Sequence, residues 1–137
     1  MRLLIDTNVV LDVLLAREPF CDSAEQVLRL SQRDDIEEYI SASAITDIYY
    51  IAHRQLKNQD LTKNLIKRLI SVVSVAAVSE KEIETALNLS WSDFEDSVQY
   101  SVALLSGFDA IVTRDAVGYC DSEVRVISPK QILDELA

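Results

Sequence analysis

The sequence of 137 residues has only two glycines, two prolines, two cysteines and one histidine. So few glycines and prolines predict short loops between helices and strands. The two cysteines, Cys21 and Cys120, stand apart from each other and from any CxxC motif. This spacing argues against a disulfide framework and favours a reduced, cytoplasmic protein. The single histidine, His53, gives poor support to a zinc hydrolase or a Cys–His mechanism and is interpreted as structural.

Long apolar runs, internal repeats and low-complexity segments are also missing. No run approaches the roughly 18 apolar residues that a membrane span needs, and the N-terminus does not resemble a signal peptide. Hydrophobic residues make up 49% of the chain and charged residues 26%, as is usual for soluble globular proteins. The length predicts a single domain over residues 1–137 with a substantial core.

Basic residues are scarce, with 13 against 23 acidic ones and a net charge of −10. This balance argues against a nucleic-acid partner, because lysine and arginine drive phosphate binding. Two features weaken that argument. Acids that hold a metal ion no longer act as free negative charges, and the segment 54–68 is locally +4. Its bases are Arg54, Lys57, Lys63, Lys67 and Arg68. A solvated helix face explains this segment as simply as a nucleic-acid contact does.

Strand and helix patterns alternate along the chain. Strands are predicted at 2–5, 38–42, 72–78, 110–113 and 124–127. Helices are predicted at 7–16, 22–33, 44–56, 60–71, after 79, from 92 to about 107 and from 128 onward. The predicted helix starts are Thr7 with Asn8, Asp22 with Glu25, Ser43, Ser79 with Glu82, Ser92 with Glu95, and Ser128 with Pro129. This alternation predicts an α/β fold whose parallel sheet is covered by helices on both faces.

Aspartates recur at the ends of these elements. Asp6 closes the first strand and Asp115 follows the strand at 110–113. Asp47 and Asp96 each lie four residues after a predicted cap, and Asp93 lies in the same first turn as Asp96. Open α/β sheets bind ligands beyond the carboxyl ends of their strands, so we expect these acids to gather at that edge.

A cluster of carboxylates at one edge needs a compensating charge. Two carboxylates 4 Å apart repel by about 4 kcal/mol at an effective dielectric constant near 20. Either some of them stay protonated or a divalent cation joins them. Mg²⁺ and Mn²⁺ prefer carboxylate oxygens, and such an ion can activate a water and stabilise charge on a phosphoryl group.

Most of these acids also have a simpler explanation. The helix dipole alone favours acids in a first turn, which covers Asp47, Asp93 and Asp96. Asp115 can shape a turn, whereas Asp6 at a strand end beside an apolar core is hardest to explain without a purpose. Three other acids fit solvent or turn positions better: Asp12, Asp109 and Asp121.

Five segments of the chain resemble a PIN-domain ribonuclease. They are LLIDTNVVLDVLL (3–15), SASAITDIYYIA (41–52), WSDFEDSVQYSVA (91–103), DAIVTRD (109–115) and VISPKQIL (126–133). They occur in the family's order and spacing and together cover essentially the whole chain. The resemblance implies a three-layer αβα sandwich around a central, mostly parallel five-stranded sheet. Many relatives are toxins of VapBC-type toxin–antitoxin pairs, which cut RNA with Mg²⁺ or Mn²⁺.

The resemblance also implies roles for individual residues. The implied metal ligands are Asp6, Asp47, Asp96 and Asp115, with Asp93 as a frequent extra acid. The implied polar shell around the first acid is Thr7, Asn8 and Thr113. Two departures stand out. Asp47 replaces the more usual glutamate and is one methylene shorter, and Gly118-Tyr119 replaces an Asp-Phe pair, which removes one auxiliary acid from the second metal position.

The implied partners are an RNA substrate, a second copy of the chain and a small antitoxin that places a basic side chain among the acids. The candidate phosphate contacts are Arg114, Lys57, Lys63, Lys67 and Arg68. Tyr49, Tyr50 and Trp91 can stack on bases, but aromatics at helical spacing more often belong to a core or a dimer interface. A non-catalytic binding module is the alternative. A phosphotransfer protein fits poorly, because Asn8 stands where an aspartate phosphatase needs a second aspartate.

Overall fold

The strands form one parallel sheet of five in the order β3-β2-β1-β4-β5, with β1 at its centre. The computed structural model describes residues 1–137. Its strands are β1 (Arg2–Ile5), β2 (Glu37–Ser41), β3 (Ser74–Ala76), β4 (Ala110–Val112) and β5 (Arg125–Ile127). Its helices are α1 (Thr7–Leu14), α2 (Cys21–Arg29), α3 (Ala42–Leu56), α4 (Gln59–Val72), α5 (Glu80–Leu87), α6 (Phe94–Leu105) and α7 (Pro129–Leu136). Short 3₁₀ helices lie at Leu30–Gln32 and Ala116–Tyr119.

Alternate residues of β1 enter two separate cores, because successive side chains of a strand point to opposite faces. Leu3 and Ile5 belong to a cluster of 19 buried residues that includes side chains of α1, α2, α3, α4 and α7. Leu4 belongs to a cluster of eight that includes Tyr100 and Val102 of α6. Both faces of the sheet are therefore covered by helices. The predicted α/β sandwich is confirmed, and all four strand pairings are parallel.

The predicted start of α3 is wrong by two residues. Ser41, and not Ser43, is the N-cap, and its hydroxyl accepts a hydrogen bond of 3.2 Å from the amide of Ala44. Ser43 is already helical and lies 3.2 Å from the Ser41 hydroxyl, Oγ to Oγ. Strand β2 therefore passes into α3 without a loop, and Asp47 lies in the second turn of the helix.

The predicted capping box of Ser92 and Glu95 is also wrong. Asp93 is the N-cap of α6, and its Oδ1 accepts a hydrogen bond of 3.0 Å from the amide of Asp96. An aspartate caps as well as a serine does, so the two adjacent candidates could not be ranked from sequence. The shift leaves Glu95 free of a capping role. The box of Ser79 and Glu82 is confirmed, and Ser128 caps α7 as predicted.

Other boundaries move for local reasons. Asp6 itself caps α1, which makes the prediction of Thr7 and Asn8 as caps wrong. The start of α2 has no side-chain cap, and Asp22 lies inside the helix. Helix α4 continues to Val72, so the strand predicted at 72–78 shrinks to β3. None of the seven α-helices has the combination of length and hydrophobicity needed to cross a bilayer.

Candidate metal centre

Asp6 lies where the central strand passes directly into α1. Its backbone amide continues the sheet by donating to the carbonyl of Val112 at 2.9 Å, while its carboxylate caps the helix. Asp6 is the single residue between the strand and the helix, so it belongs to both. The carboxylate is consequently fixed at the carboxyl edge of the sheet and is only 5% exposed.

Five protein groups donate hydrogen bonds to this carboxylate, and the longest of these bonds runs from Asn8 Nδ2 to Oδ2 at 3.5 Å. Oδ1 accepts from the Thr7 amide and from Gln99 Nε2, both at 2.7 Å. Oδ2 accepts from Thr113 Oγ1 at 2.8 Å and from the Tyr119 hydroxyl at 3.1 Å. Burial nevertheless raises the pKa of Asp6, although the bonds from Thr113, Thr7 and Tyr119 oppose that shift. A buried acid held so firmly in one orientation is typical of a functional site.

Asp96 faces Asp6 from the first turn of α6. Burial, followed by the charges of Asp6 and Asp93, raises the pKa of Asp96 to about 7. Gly118 lies directly against this carboxylate, because a Cβ at position 118 would overlap Asp96 Oδ2. The same Cβ would be 3.8 Å from Asp115 Oδ2. The segment after β4 therefore brings Asp115 to the same point as Asp96.

Asp47 and Glu95 form the other part of the cluster. Burial raises the pKa of Glu95 to about 7, followed by its hydrogen bond with Asp47, the charge of Asp47 and the charges of Asp6 and Asp93. Thr7 Oγ1 lies 3.5 Å from Glu95 Oε1. Glu95 was not among the predicted site residues, because the sequence pattern placed this side chain in a capping box with Ser92. An N-cap at Asp93 would have revealed two free acids, Glu95 and Asp96, in one helical turn.

The predicted polar shell lies around Asp6. Asn8 Nδ2 donates to Thr113 Oγ1 at 3.0 Å, and Asn8 Oδ1 accepts from the Arg114 amide at 3.2 Å. Asn8 thus ties α1 to the end of β4 and is more than a helix-start residue. Gln99 was missed, although a glutamine among the apolar residues of α6 was a detectable signal. It is completely buried, and its Oε1 has no partner.

The predicted basic residues are not brought to one surface. Lys63 and Lys67 line a hollow of about 380 Å³ between α3 and α4, together with Tyr49 and Tyr50. Arg68 lines a different hollow, on the side of α1 and α2, and Lys57 ends α3 in a left-handed conformation. Trp91 belongs to the core, where it stacks on Tyr100 at 4.7 Å between ring centroids.

Arg114 is the only one of these bases paired with a buried acid. Its guanidinium contacts Asp12 twice, at 2.6 and 3.0 Å, and lies 3.8 Å above the ring of Phe20. The expectation that Asp12 fits a solvent or turn position is therefore wrong, since its side chain is 1% exposed. The hydrophobic neighbours of α1 hide this acid, and its close pairing with Arg114 compensates for the burial of its charge.

The oxygen donors of this cluster suit a hard divalent cation such as Mg²⁺ or Mn²⁺. All of them are carboxylates, and they lie at one sheet edge beside a glycine that leaves room next to Asp96. The carboxylates converge without forming a closed cage, because no three of them are arranged to hold one ion together.

Comparison with known proteins identifies the family of the chain. The model of the PIN domain matches residues 2–116, which cover most of the chain. The chain belongs to the PIN domain family. This match includes every predicted acid of the cluster, and the fold of five parallel strands is the fold that the resemblance implied. No match to this PIN domain was found among curated protein sequences.

Solved structures of three bacterial proteins share the fold. The FitAcB structure from Neisseria gonorrhoeae has a TM-score of 0.70 and 17% identity, covering 93% of this chain and 98% of its own. VapC20 of Mycobacterium tuberculosis, described as a sarcin-ricin loop cleaving toxin, has a TM-score of 0.68 and 18% identity, covering 90% and 98%. VapBC-1 from nontypeable Haemophilus influenzae has a TM-score of 0.71 and 14% identity, covering 95% and 99%.

Proposed function

We propose that this PIN domain is a metal-dependent ribonuclease that hydrolyses phosphodiester bonds of single-stranded RNA. The convergence of Asp6, Asp96 and Asp115 on the segment around Gly118 carries this proposal. Asp47 and Asp93 lie near enough to contribute to the raised pKa of Glu95, and Asp93 contributes to that of Asp96. Such mutual repulsion at one sheet edge is costly unless a cation offsets it.

The residues that would hold Mg²⁺ or Mn²⁺ are Asp6, Asp96, Asp47 and Asp115, with Asp93 and Glu95 beside them. A bound ion would supply Lewis-acid stabilisation of the phosphoryl group and a nucleophile at neutral pH. Thr113, Thr7 and Gln99 hold the Asp6 carboxylate in one orientation.

RNA cleavage by the purified protein tests this function. We expect cutting of a single-stranded RNA with Mg²⁺ or Mn²⁺, none with EDTA, and loss in both Asp6→Asn and Asp96→Asn. Asp60→Asn is the matched control, because Asp60 is also a first-turn acid but lies on α4. Cutting that survives both site substitutions contradicts the assignment. A well-folded protein that neither cuts RNA nor binds metal would instead be the non-catalytic module.

We further propose that the protein is cytoplasmic and is the toxin of a toxin–antitoxin pair. A further solved structure of this fold, a toxin–antitoxin complex from Klebsiella pneumoniae with a TM-score of 0.69 and 18% identity, supports this. The net charge of −10 also favours a basic partner. The antitoxin would place an arginine or lysine among the acids, where its charge replaces that of the cation. Capture of a small, partly basic protein encoded beside this chain tests the pairing, and a capture that returns none contradicts it.

We also propose that the protein forms a homodimer. Several large apolar side chains remain exposed on the single chain, among them Tyr50 at 65% and Leu87 at 66%. Light scattering after size exclusion measures the mass directly, and a value of 15.4 kDa for the particle would contradict the dimer.

A further inference from the structure

The carboxylate of Asp6 has no free lone pair in this structure. An ionised carboxylate offers about four acceptor positions over its two oxygens. Four close donors fill these positions: Thr7, Gln99, Thr113 and Tyr119, at 2.7, 2.7, 2.8 and 3.1 Å. Asn8 Nδ2 lies 3.5 Å from Oδ2, at the long limit for a hydrogen bond, and makes its closer bond to Thr113 Oγ1 at 3.0 Å. If Asp6 binds a divalent cation, as the proposed function requires, one of these donors has to leave.

Three of the four donors are fixed by the fold. The Thr7 amide belongs to the first residue of α1, and Gln99 is completely buried on α6. Thr113 Oγ1 accepts hydrogen bonds from Asn8 Nδ2 and from the Asp115 amide, both at 3.0 Å. Those two bonds occupy both of its lone pairs, so its proton can point only toward Asp6.

Tyr119 is held less firmly by the fold than the other three close donors. Its bond to Asp6 is the longest of the four close ones, and only the Asn8 contact at 3.5 Å is longer. It ends a single 3₁₀ turn, Ala116–Tyr119, whose first two residues are exposed. Its hydroxyl also has a second acceptor at hand, because it contacts Asp96 as well as Asp6. The Tyr119 proton can therefore turn from one carboxylate to the other without losing a charged acceptor.

We propose that the Tyr119 hydroxyl is the donor that leaves Asp6 when a divalent cation binds, so that it sets the affinity of the site for the ion. This positioning role rests on the proposed function. Without the ion, the hydroxyl separates Asp6 from Asp96 and relieves their repulsion. With the ion, the same hydroxyl is a competitor that has to be displaced.

Calorimetric titration with Mn²⁺ tests the competition in Tyr119→Phe. A hydrogen bond to a charged group corresponds to about a tenfold change in an equilibrium constant. We therefore expect Tyr119→Phe to bind Mn²⁺ about tenfold more tightly than the wild type, while its metal-free form melts at a lower temperature. The matched control is Tyr100→Phe. Tyr100 is equally buried and stacks on the same Trp91, but its hydroxyl contacts only the Glu123 amide, at 3.4 Å.

A merely structural role would lower the stability of Tyr119→Phe without tightening metal binding. Equal or weaker Mn²⁺ affinity, relative to Tyr100→Phe, overturns the proposal. Ultraviolet difference spectra of the tyrosines give a second measurement, which does not depend on the destabilised variant Tyr119→Phe. We expect Mn²⁺ to perturb tyrosine absorption in the wild type and in Tyr100→Phe. Mn²⁺ binding without that perturbation would also overturn the proposal. Failure of the wild type to bind Mn²⁺ would contradict both this proposal and the proposed ribonuclease activity. Unchanged Mn²⁺ affinity in Tyr119→Phe would contradict only the proposal about Tyr119.

Discussion

Asp12 and Arg114 form a two-pronged ion pair, with Nε 2.6 Å from Oδ2 and Nη2 3.0 Å from Oδ1. The pair joins the middle of α1 to the residue just before Asp115. Arg17 adds a longer contact of 3.8 Å to the same carboxylate. The structure thus uses a buried acid outside the cluster to fix the segment that delivers Asp115 to it.

We expect Asp12→Asn to lower the free energy of unfolding by about 2 kcal/mol. Removing one partner of a fully buried pair costs roughly 3–5 kcal/mol, and here the guanidinium, with its side chain 29% exposed, recovers part of that in water. Urea unfolding at pH 7 measures the change. Asp34→Asn is the control, since Asp34 is exposed. Equal midpoints for the two variants would show that the pair adds no stability.

The sheet and the acids were predictable because they depend on short-range patterns. Apolar strands followed at once by helix starts placed Asp6 and Asp115 at one edge, and a parallel sheet allows no other arrangement. The capping residues were less predictable, since Ser41 and Ser43, or Ser92 and Asp93, have nearly equal propensity. The local hydrogen bonds decide between them, and a shift of one residue decides whether Glu95 faces its own helix or the site.

Other features of the structure could not be predicted, because they depend on contacts between residues far apart in the sequence. Tyr119 was interpreted as part of a dipeptide that lacks an acid, whereas its hydroxyl reaches Asp6 across 113 residues of sequence. Asp12 was assigned to a solvent or turn position because its partner, Arg114, lies 102 residues away. Both contacts follow from tertiary packing, which no periodicity in the sequence encodes.

Substitution of Glu95 tests whether this side chain belongs to the metal site. We expect Glu95→Gln to weaken Mn²⁺ binding by about tenfold, because it removes one negative charge beside Asp47 and Asp6. Glu80→Gln is the control, since Glu80 is an exposed acid in the first turn of α5 and shares only the helix-dipole effect. Equal Mn²⁺ affinity in both variants, measured by calorimetry, would remove Glu95 from the site.

Glu38 predicts a dependence of stability on pH outside the site. This side chain of β2 is buried, neither of its carboxylate oxygens has a partner, and burial raises its pKa from 4.5 to about 8. The folded protein then holds a proton that the unfolded chain releases above pH 4.5, so stability falls as pH rises from about 4.5 to 8.

We therefore expect Glu38→Met to raise the free energy of unfolding by a few kcal/mol at pH 9 and much less at pH 4, on the scale of about 1.4 kcal/mol per pKa unit. Urea unfolding across this range measures the slope. Glu37→Gln is the neighbouring control, because the Glu37 side chain is 62% exposed. If the wild type and Glu38→Met follow parallel pH curves, Glu38 is not the group responsible.

Substitutions at the two glycines distinguish the effect of site geometry on metal binding from the effect of backbone strain on stability. Gly118 lies against Asp96 Oδ2, so we expect Gly118→Ala to push the carboxylate or the 3₁₀ turn aside and weaken Mn²⁺ binding at least tenfold. Gly107 has a φ of +68° and open space around it. Gly107→Ala should therefore cost about 1 kcal/mol of stability through the left-handed backbone alone and leave metal binding unchanged. Calorimetry and urea unfolding on both variants give the comparison, and a loss of Mn²⁺ affinity in Gly107→Ala equal to that in Gly118→Ala would mean that general destabilisation is the cause.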